Sequence, residues 1–204
     1  MMKLYYSPGA CSLASHIALR EAGLAYELVL ASTKTKKLLD GTDYLTINPK
    51  GGVPLLELAN GERLSEGPVI LQYIADQAPD KNLAPANGSW ARYRLQEWLN
   101  FITSEVHKSF TPLFNMAMPE AGKAISRTRL GQRFAWIDAQ LEGRQYLLGD
   151  QFSVADAYLF NVSNWTSVTQ VDISGLSHLL AYRARVAARP AVVAAMQAEG
   201  LIAS

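Results

Sequence analysis

Residues 79–88, Pro-Asp-Lys-Asn-Leu-Ala-Pro-Ala-Asn-Gly, form the densest run of helix and strand breakers in the chain, and the apolar pattern differs on its two sides. Before it, short apolar runs of strand length are interrupted by single helical stretches. After it, every apolar pattern has helical spacing. Such a chain is expected to fold as two parts, with a mixed α/β domain over 1–80, a linker over 81–88 and an all-helical domain over 89–204.

The first part has a definite order. Lys3 to Tyr6 reads as a strand, and Leu13, Ala14, Ile17 and Ala18 recur at helical spacing to about Glu21, with Ser12 as a cap and Gly23 as the stop. Tyr26 to Leu30 reads as a second strand. A right-handed crossover makes these two strands parallel and brings the mouth of the first helix to the C-terminal edge of the sheet. Residues 31–52 are polar, with irregular or short helical structure expected. Val53 to Leu58 is strand-like, Asn60-Gly61 is a hairpin turn, and Arg63-Leu64 begins the return. Gly67-Pro68 then opens a helix with Val69, Ile70, Tyr73 and Ile74 on its apolar face. The order βαβ-ββα is the thioredoxin arrangement, and within it Pro54, directly before a strand, is a candidate for a cis peptide bond. In the second part we expect helices from Trp90 to about Phe110, from Ala121 to Leu141 and from Ser153 to about Trp165, with shorter ones after Leu176. Ser153-Val154-Ala155-Asp156 has the spacing of a capping box.

Composition excludes several classes of partner. The net charge is +1, with basic and acidic residues interspersed, so nothing resembles the basic stripe that nucleic acid or an anionic membrane requires. One cysteine rules out an intrachain disulfide, and the lack of Cys/His clusters argues against a metal site. No run of about 18 apolar residues is present, and the N-terminus lacks the pattern of a signal peptide. A cytoplasmic location is the expectation.

Chemistry concentrates at Tyr5-Tyr6-Ser7-Pro8-Gly9-Ala10-Cys11-Ser12, where a strand stops, turns and presents the lone cysteine at a helix mouth. Outward-pointing N–H groups and the helix dipole there favour a thiolate, so the Cys11 pKa is expected to fall below about 8.5. The bland alternative is a small buried hydrophobe. His107 shares a helix face with Asn100 and Ser104, a neutral polar set suited to a small ligand, although a solvated surface gives the same pattern. His16, one turn into the first helix, orients that segment through a hydrogen bond at most. Glu66 and Gly67, at the start of a helix, offer a carboxylate and an N–H to a ligand bearing both an ammonium and a carboxylate. Lys36 offers a charge to a second carboxylate.

These stretches resemble the beta class of bacterial glutathione S-transferases over nearly the whole chain. The carriers are the Tyr5–Leu13 run, Asn48-Pro49-Lys50-Gly51-Gly52-Val53-Pro54, Ser65-Glu66-Gly67, Glu97–Phe101, Ser104–Lys108 and Val154–Phe160. The resemblance implies that Cys11 contacts or disulfide-bonds the sulfur of glutathione and that Val53 pairs its backbone with the cysteinyl unit. It assigns the γ-glutamyl end to Glu66 and Gly67 and the glycyl carboxylate to Lys36. Asn100, Ser104 and His107 would line the site from the helical domain, with Glu105 reaching the ligand of a partner subunit. Gly52 replaces a side-chain amide common in relatives, and Gly67 replaces a serine common in other classes.

A homodimeric glutathione transferase is thus expected, acting on small, mostly apolar electrophiles in detoxification. Glutathione is its co-substrate, and it needs no metal. Phe110, Phe114 and Trp165 are candidates for the electrophile pocket, and glutathione-dependent thiol-disulfide exchange through a mixed disulfide on Cys11 is a secondary activity. His107 is the second catalytic candidate. The alternative is a protein that binds glutathione or apolar ligands without turnover.

Overall fold

A computed structural model describes residues 1–203, which divide into two compact units: Met1–Ala84 together with the residues from Arg189 onward, and Pro85–Ala188. The first unit is built on four strands and two helices in the order β1 (Met2–Tyr6), α1 (Ser12–Ala22), β2 (Tyr26–Leu30), β3 (Leu55–Glu57), β4 (Arg63–Ser65) and α2 (Gly67–Asp76). The sheet runs β2-β1-β3-β4, with β1 parallel to β2 and antiparallel to β3, and β3 antiparallel to β4. This is the βαβ-ββα arrangement expected, and the Val53–Pro54 peptide is cis.

Strand alternation gives the sheet two buried faces. Leu4 and Leu56, paired across β1 and β3, are fully buried on the face that packs against α1 and α2. Tyr5 and Leu55, the next pair, turn the other way and join Ala31 and Tyr44 in a cluster, against which Leu38 and Ile47 also pack. The irregular segment after β2, with a single 3-10 turn at Tyr44–Thr46, therefore covers the second face of the sheet.

Helix α1 is buried nearly all round, because the sheet, α2 and the C-terminal helix each take one side of it. Leu13, Ile17 and Leu19 are fully enclosed, each stabilising the fold by about 1.5–3 kcal/mol, while Ala14, Ala18 and Ser15 let the neighbouring helices approach. Gly23 ends the helix in the left-handed region, at φ 66°, a conformation that costs glycine nothing. Ser12 does not cap it. Cys11 occupies the cap position, and the Ser12 hydroxyl instead turns back to Ser7, accepting its N–H and donating to its carbonyl, both at 3.2 Å.

The second unit contains α3 (Trp90–Phe101), α4 (Thr111–Phe114), α5 (Glu120–Gln140), α6 (Val154–Asn164), α7 (Thr166–Thr169) and α8 (Ser177–Ala187). A continuous α-helix from Trp90 to about Phe110 is not what forms. The chain is wound as π-helix over Ile102–His107 and as 3-10 over Lys108–Phe110. Hydroxyls cluster at this change of winding. Thr103 and Ser104 donate to the carbonyls of Leu99 and Asn100 at 2.7 and 3.1 Å, and Ser109 to that of Glu105 at 2.8 Å, bonds that favour a bend. The expected apolar arc still holds its core, with Leu95, Leu99, Ile102, Val106 and Phe110 all buried. Ser153 caps α6 through the expected box, in which the buried Asp156 carboxylate accepts the Ser153 N–H and hydroxyl at 2.8 Å each and the Leu147 N–H at 2.9 Å.

The C-terminal helix α9 (Pro190–Ala198) returns to the first unit and packs on α1. The helical unit therefore ends at Ala188 rather than running on over 89–204, because α9 buries Val192 and Ala195 against the α/β unit.

Candidate active site

In the first unit the site begins at the turn between β1 and α1. The Ala10 N–H closes the turn on the Ser7 carbonyl at 3.0 Å, and Gly9 adopts a φ of 68°. Cys11 follows as the helix cap, and its thiol donates to the Val53 carbonyl at 3.0 Å. Residues 42 positions apart are thereby joined across the sheet edge. The expected fall in the Cys11 pKa is not found. The N–H groups of Cys11 and Ser12 do pull it down, but burial outweighs them and the nearby Glu66 carboxylate adds to the rise, pushing the thiol up to about 11. The helix mouth supplies donors, yet the packing around the partly buried thiol strips away much of the water that would solvate a thiolate.

The loop ahead of Cys11 is held by a residue from the far end of the chain. Glu199, which ends α9 and has a fully enclosed side chain, accepts the Gly9 N–H with Oε2 at 2.9 Å and contacts His16 Nδ1 with Oε1 at 2.9 Å. Arg20 Nε donates to His16 Nε2 at 3.1 Å. Since a guanidinium can only donate, Nε2 must accept, so His16 carries its proton on Nδ1 and donates it to Glu199. His16 thus does orient the segment, but toward a carboxylate that nothing in the local sequence announces.

Glu66 caps α2 with φ 71° and ψ 110°, a conformation rare for a residue with a side chain. Its carbonyl takes the N–H groups of Val69 and Ile70, both at 3.0 Å, and Pro68 has none, so Gly67 is the residue of the first turn left to offer an N–H to an outside anion. The Glu66 carboxylate meets Lys50 Nζ at 2.8 Å, and Lys50 also reaches the Ser65 hydroxyl at 3.1 Å. Nothing in the residues next to Lys50 points to this pairing, which spans 16 positions. Lys36, at φ 56°, donates through Nζ to the Gly51 carbonyl at 2.7 Å, while Tyr44 and Asn48 both donate to the Gly52 carbonyl at 2.8 Å. These bonds fix the backbone that leads into Val53.

In the second unit, Asn100 and Ser104 are exposed, and the Ser104 hydroxyl is turned onto the Asn100 carbonyl. Glu105 is bound within its own chain, to Arg129 at 3.0 Å and Arg133 at 2.8 Å, and the two guanidinium groups hold its carboxyl below the usual range. His107 Nδ1 meets the Tyr158 hydroxyl at 2.6 Å, and its ring stands edge-on to Trp165 with centroids 4.9 Å apart. Burial, with a smaller contribution from Lys108, lowers its pKa to about 4. His107 is therefore neutral at physiological pH, and a titration near 6.5 is not expected of it. Of the apolar candidates, Phe114 is half exposed and Trp165 partly so, but Phe110 is fully buried and backs both rings, at 6.4 and 5.4 Å, rather than lining a surface. Among the described residues no cluster of His, Cys, Asp and Glu could hold a metal ion, and no helix is long and apolar enough to cross a membrane.

The chain matches the family models for the glutathione S-transferase N-terminal domain over residues 9–77 and the glutathione S-transferase C-terminal domain over residues 101–190. It is 46% identical to the glutathione S-transferase GstA of Escherichia coli O157:H7, over 98% of this chain and all of that one. A sphingomonad glutathione S-transferase solved in complex with glutathione is 48% identical, with a TM-score of 0.94 over 98% of this chain and all of the other. The beta-class enzyme of Sphingomonas chungbukensis is 47% identical, with a TM-score of 0.95 over the same shares.

Proposed function

This chain belongs to the glutathione S-transferase family, and from that premise we propose that it transfers the thiol of glutathione to small, mostly apolar electrophiles through the site around Cys11. The observation that carries the reading is the contact between Cys11 Sγ and the Val53 carbonyl, with Glu66 and Gly67 on the adjacent helix mouth. An extended tripeptide pairing its cysteinyl unit with Val53 brings its sulfur to Cys11, its γ-glutamyl end to Glu66 and Gly67, and its glycyl carboxylate to Lys36.

Cys11 then works chiefly as a donor. With a pKa of about 11 it is about one part in ten thousand thiolate at pH 7, so the nucleophile is the sulfur of glutathione. The thiol of glutathione gives its proton to solvent, and the Cys11 S–H leaves the Val53 carbonyl for the resulting anionic sulfur and stabilises it. The sulfur forms a bond to the electrophilic carbon, and the leaving group departs with its electron pair. In thiol-disulfide exchange, the thiolate of Cys11 attacks a glutathione mixed disulfide and releases the other thiolate, a slower route because so little thiolate is present. His107, neutral, can donate or accept a proton, and Asn100 and Ser104 offer polar contacts. A homodimer in the cytoplasm, serving detoxification, completes the reading on the strength of the family resemblance.

Steady-state assays with a chloronitroaromatic and with a glutathione mixed disulfide test this function. Conjugation faster than the background reaction is expected. Glutathione binding with turnover of neither substrate would instead establish the reading of a protein that binds without catalysis.

A further inference from the structure

The mouth of α2 is poorly supplied for a carboxylate. Gly67 has no hydroxyl, Pro68 has no N–H, and the next two N–H groups are spent on the Glu66 carbonyl. A ligand's amino-acid end would find a carboxylate in Glu66 for its ammonium and one backbone N–H for its own carboxylate. The missing positive charge lies close by. Lys50 Nζ rests 2.8 Å from Glu66 Oε1 and 3.1 Å from the Ser65 hydroxyl, with both charged side chains more than 60% exposed, so nothing locks the ammonium there. Its backbone, in contrast, is anchored. The Lys50 N–H is held by Asn48 Oδ1 at 3.2 Å, and Asn48 is itself buried and bonded to the Gly52 carbonyl. A fixed stem and a free head suit a residue that changes partners.

We propose that Lys50 and Glu66 together read the amino-acid end of the ligand: Glu66 takes the α-ammonium, and Lys50 shifts from Glu66 onto the α-carboxylate that Gly67 alone undersupplies. The two protein charges and the two ligand charges then alternate in sign around a ring. Each has an opposite neighbour, which selects a zwitterionic γ-glutamyl end over one lacking either group. The inference rests on glutathione being the ligand and specifies how this chain, with glycine at position 67, recognises it.

Calorimetric binding of two ligands to three proteins tests it. The ligands are glutathione and 4-aminobutyryl-cysteinylglycine, which lacks only the α-carboxylate; the proteins are the unsubstituted chain, Lys50→Met and Lys50→Arg. Lys50→Met should weaken glutathione by about fivefold or more, as expected for loss of a charge-assisted hydrogen bond, leave the analogue's affinity unchanged, and be largely rescued by Lys50→Arg. Glutathione binding that is unchanged or tightened in Lys50→Met, or a loss equal for both ligands, would overturn the proposal. Failure of the unsubstituted chain to bind glutathione would overturn the glutathione reading itself, and this inference with it.

Discussion

Glu199 holds Gly9, a residue 190 positions earlier, through a 2.9 Å bond from the Gly9 N–H to Oε2. Its other oxygen receives the Nδ1 proton of His16, so one buried carboxylate ties the C-terminal segment both to the loop before Cys11 and to α1. Leu201 closes over the same loop, 3.3 Å from where a side chain on Gly9 would begin.

Removing that carboxylate takes away the acceptor of a buried imidazole N–H and breaks the bond from the Gly9 N–H. Glu199→Ala should lower stability by about 3 kcal/mol, and Glu199→Gln by less, because the amide oxygen can still accept one of the two bonds. Denaturant unfolding measures both. A loss below about 1 kcal/mol for the alanine variant would show that the bonds are not load carriers for this loop.

The pH dependence of Cys11 follows from its burial. Its folded pKa, about 11, lies above the ordinary thiol value, so the folded state holds its proton more tightly than the unfolded chain does. That contribution to stability is complete below about pH 8.5 and is lost as pH rises toward 11. Iodoacetamide alkylation of the free protein should accelerate roughly tenfold per pH unit between 7 and 10. A plateau that sets in above about pH 9 would mean the thiol ionises normally.

His107 has the opposite sign. Its folded pKa, about 4, lies below the unfolded value, so its effect on stability is constant above about pH 6.5, and stability falls as pH drops from there toward 4. NMR titration should leave its ring signals unmoved between pH 6 and 8. His107→Ala should lower turnover more than it raises the Michaelis constant for glutathione if the imidazole acts in chemistry. Unchanged turnover with lost thermal stability would assign His107 to packing against Tyr158 and Trp165.

Asp156 is a folding residue. Its buried carboxylate takes three hydrogen bonds that join the start of α6 to Leu147, and Asp156→Ala should cost about 3 kcal/mol or more. Thermal unfolding checks it, and Asp156→Glu should recover only part of the loss because the longer side chain must crowd a closed site. A melting temperature unchanged in Asp156→Ala would remove the capping box from the list of features holding the helical unit.

What the sequence determined by itself is everything local. Turn residues, apolar spacing and helix stops are written in neighbouring residues, so the strand order, the hairpin at Asn60-Gly61, the end of α1 at Gly23 and the capping box at Ser153 were all legible. The placement of Cys11 at a helix mouth was legible for the same reason. Its pKa was not, because desolvation depends on every atom packed around the sulfur, and Val53 and Glu66 arrive from other parts of the chain. The π-helical turn at Ile102–His107 had only a faint signal in its clustered hydroxyls, since a one-residue change of winding leaves the apolar pattern before it intact. The return of α9 to the first unit, the burial of Glu199 on His16 and Gly9, and the reach of Lys50 to Glu66 are decided by tertiary packing alone. Each joins residues too distant in sequence for any periodicity to connect them.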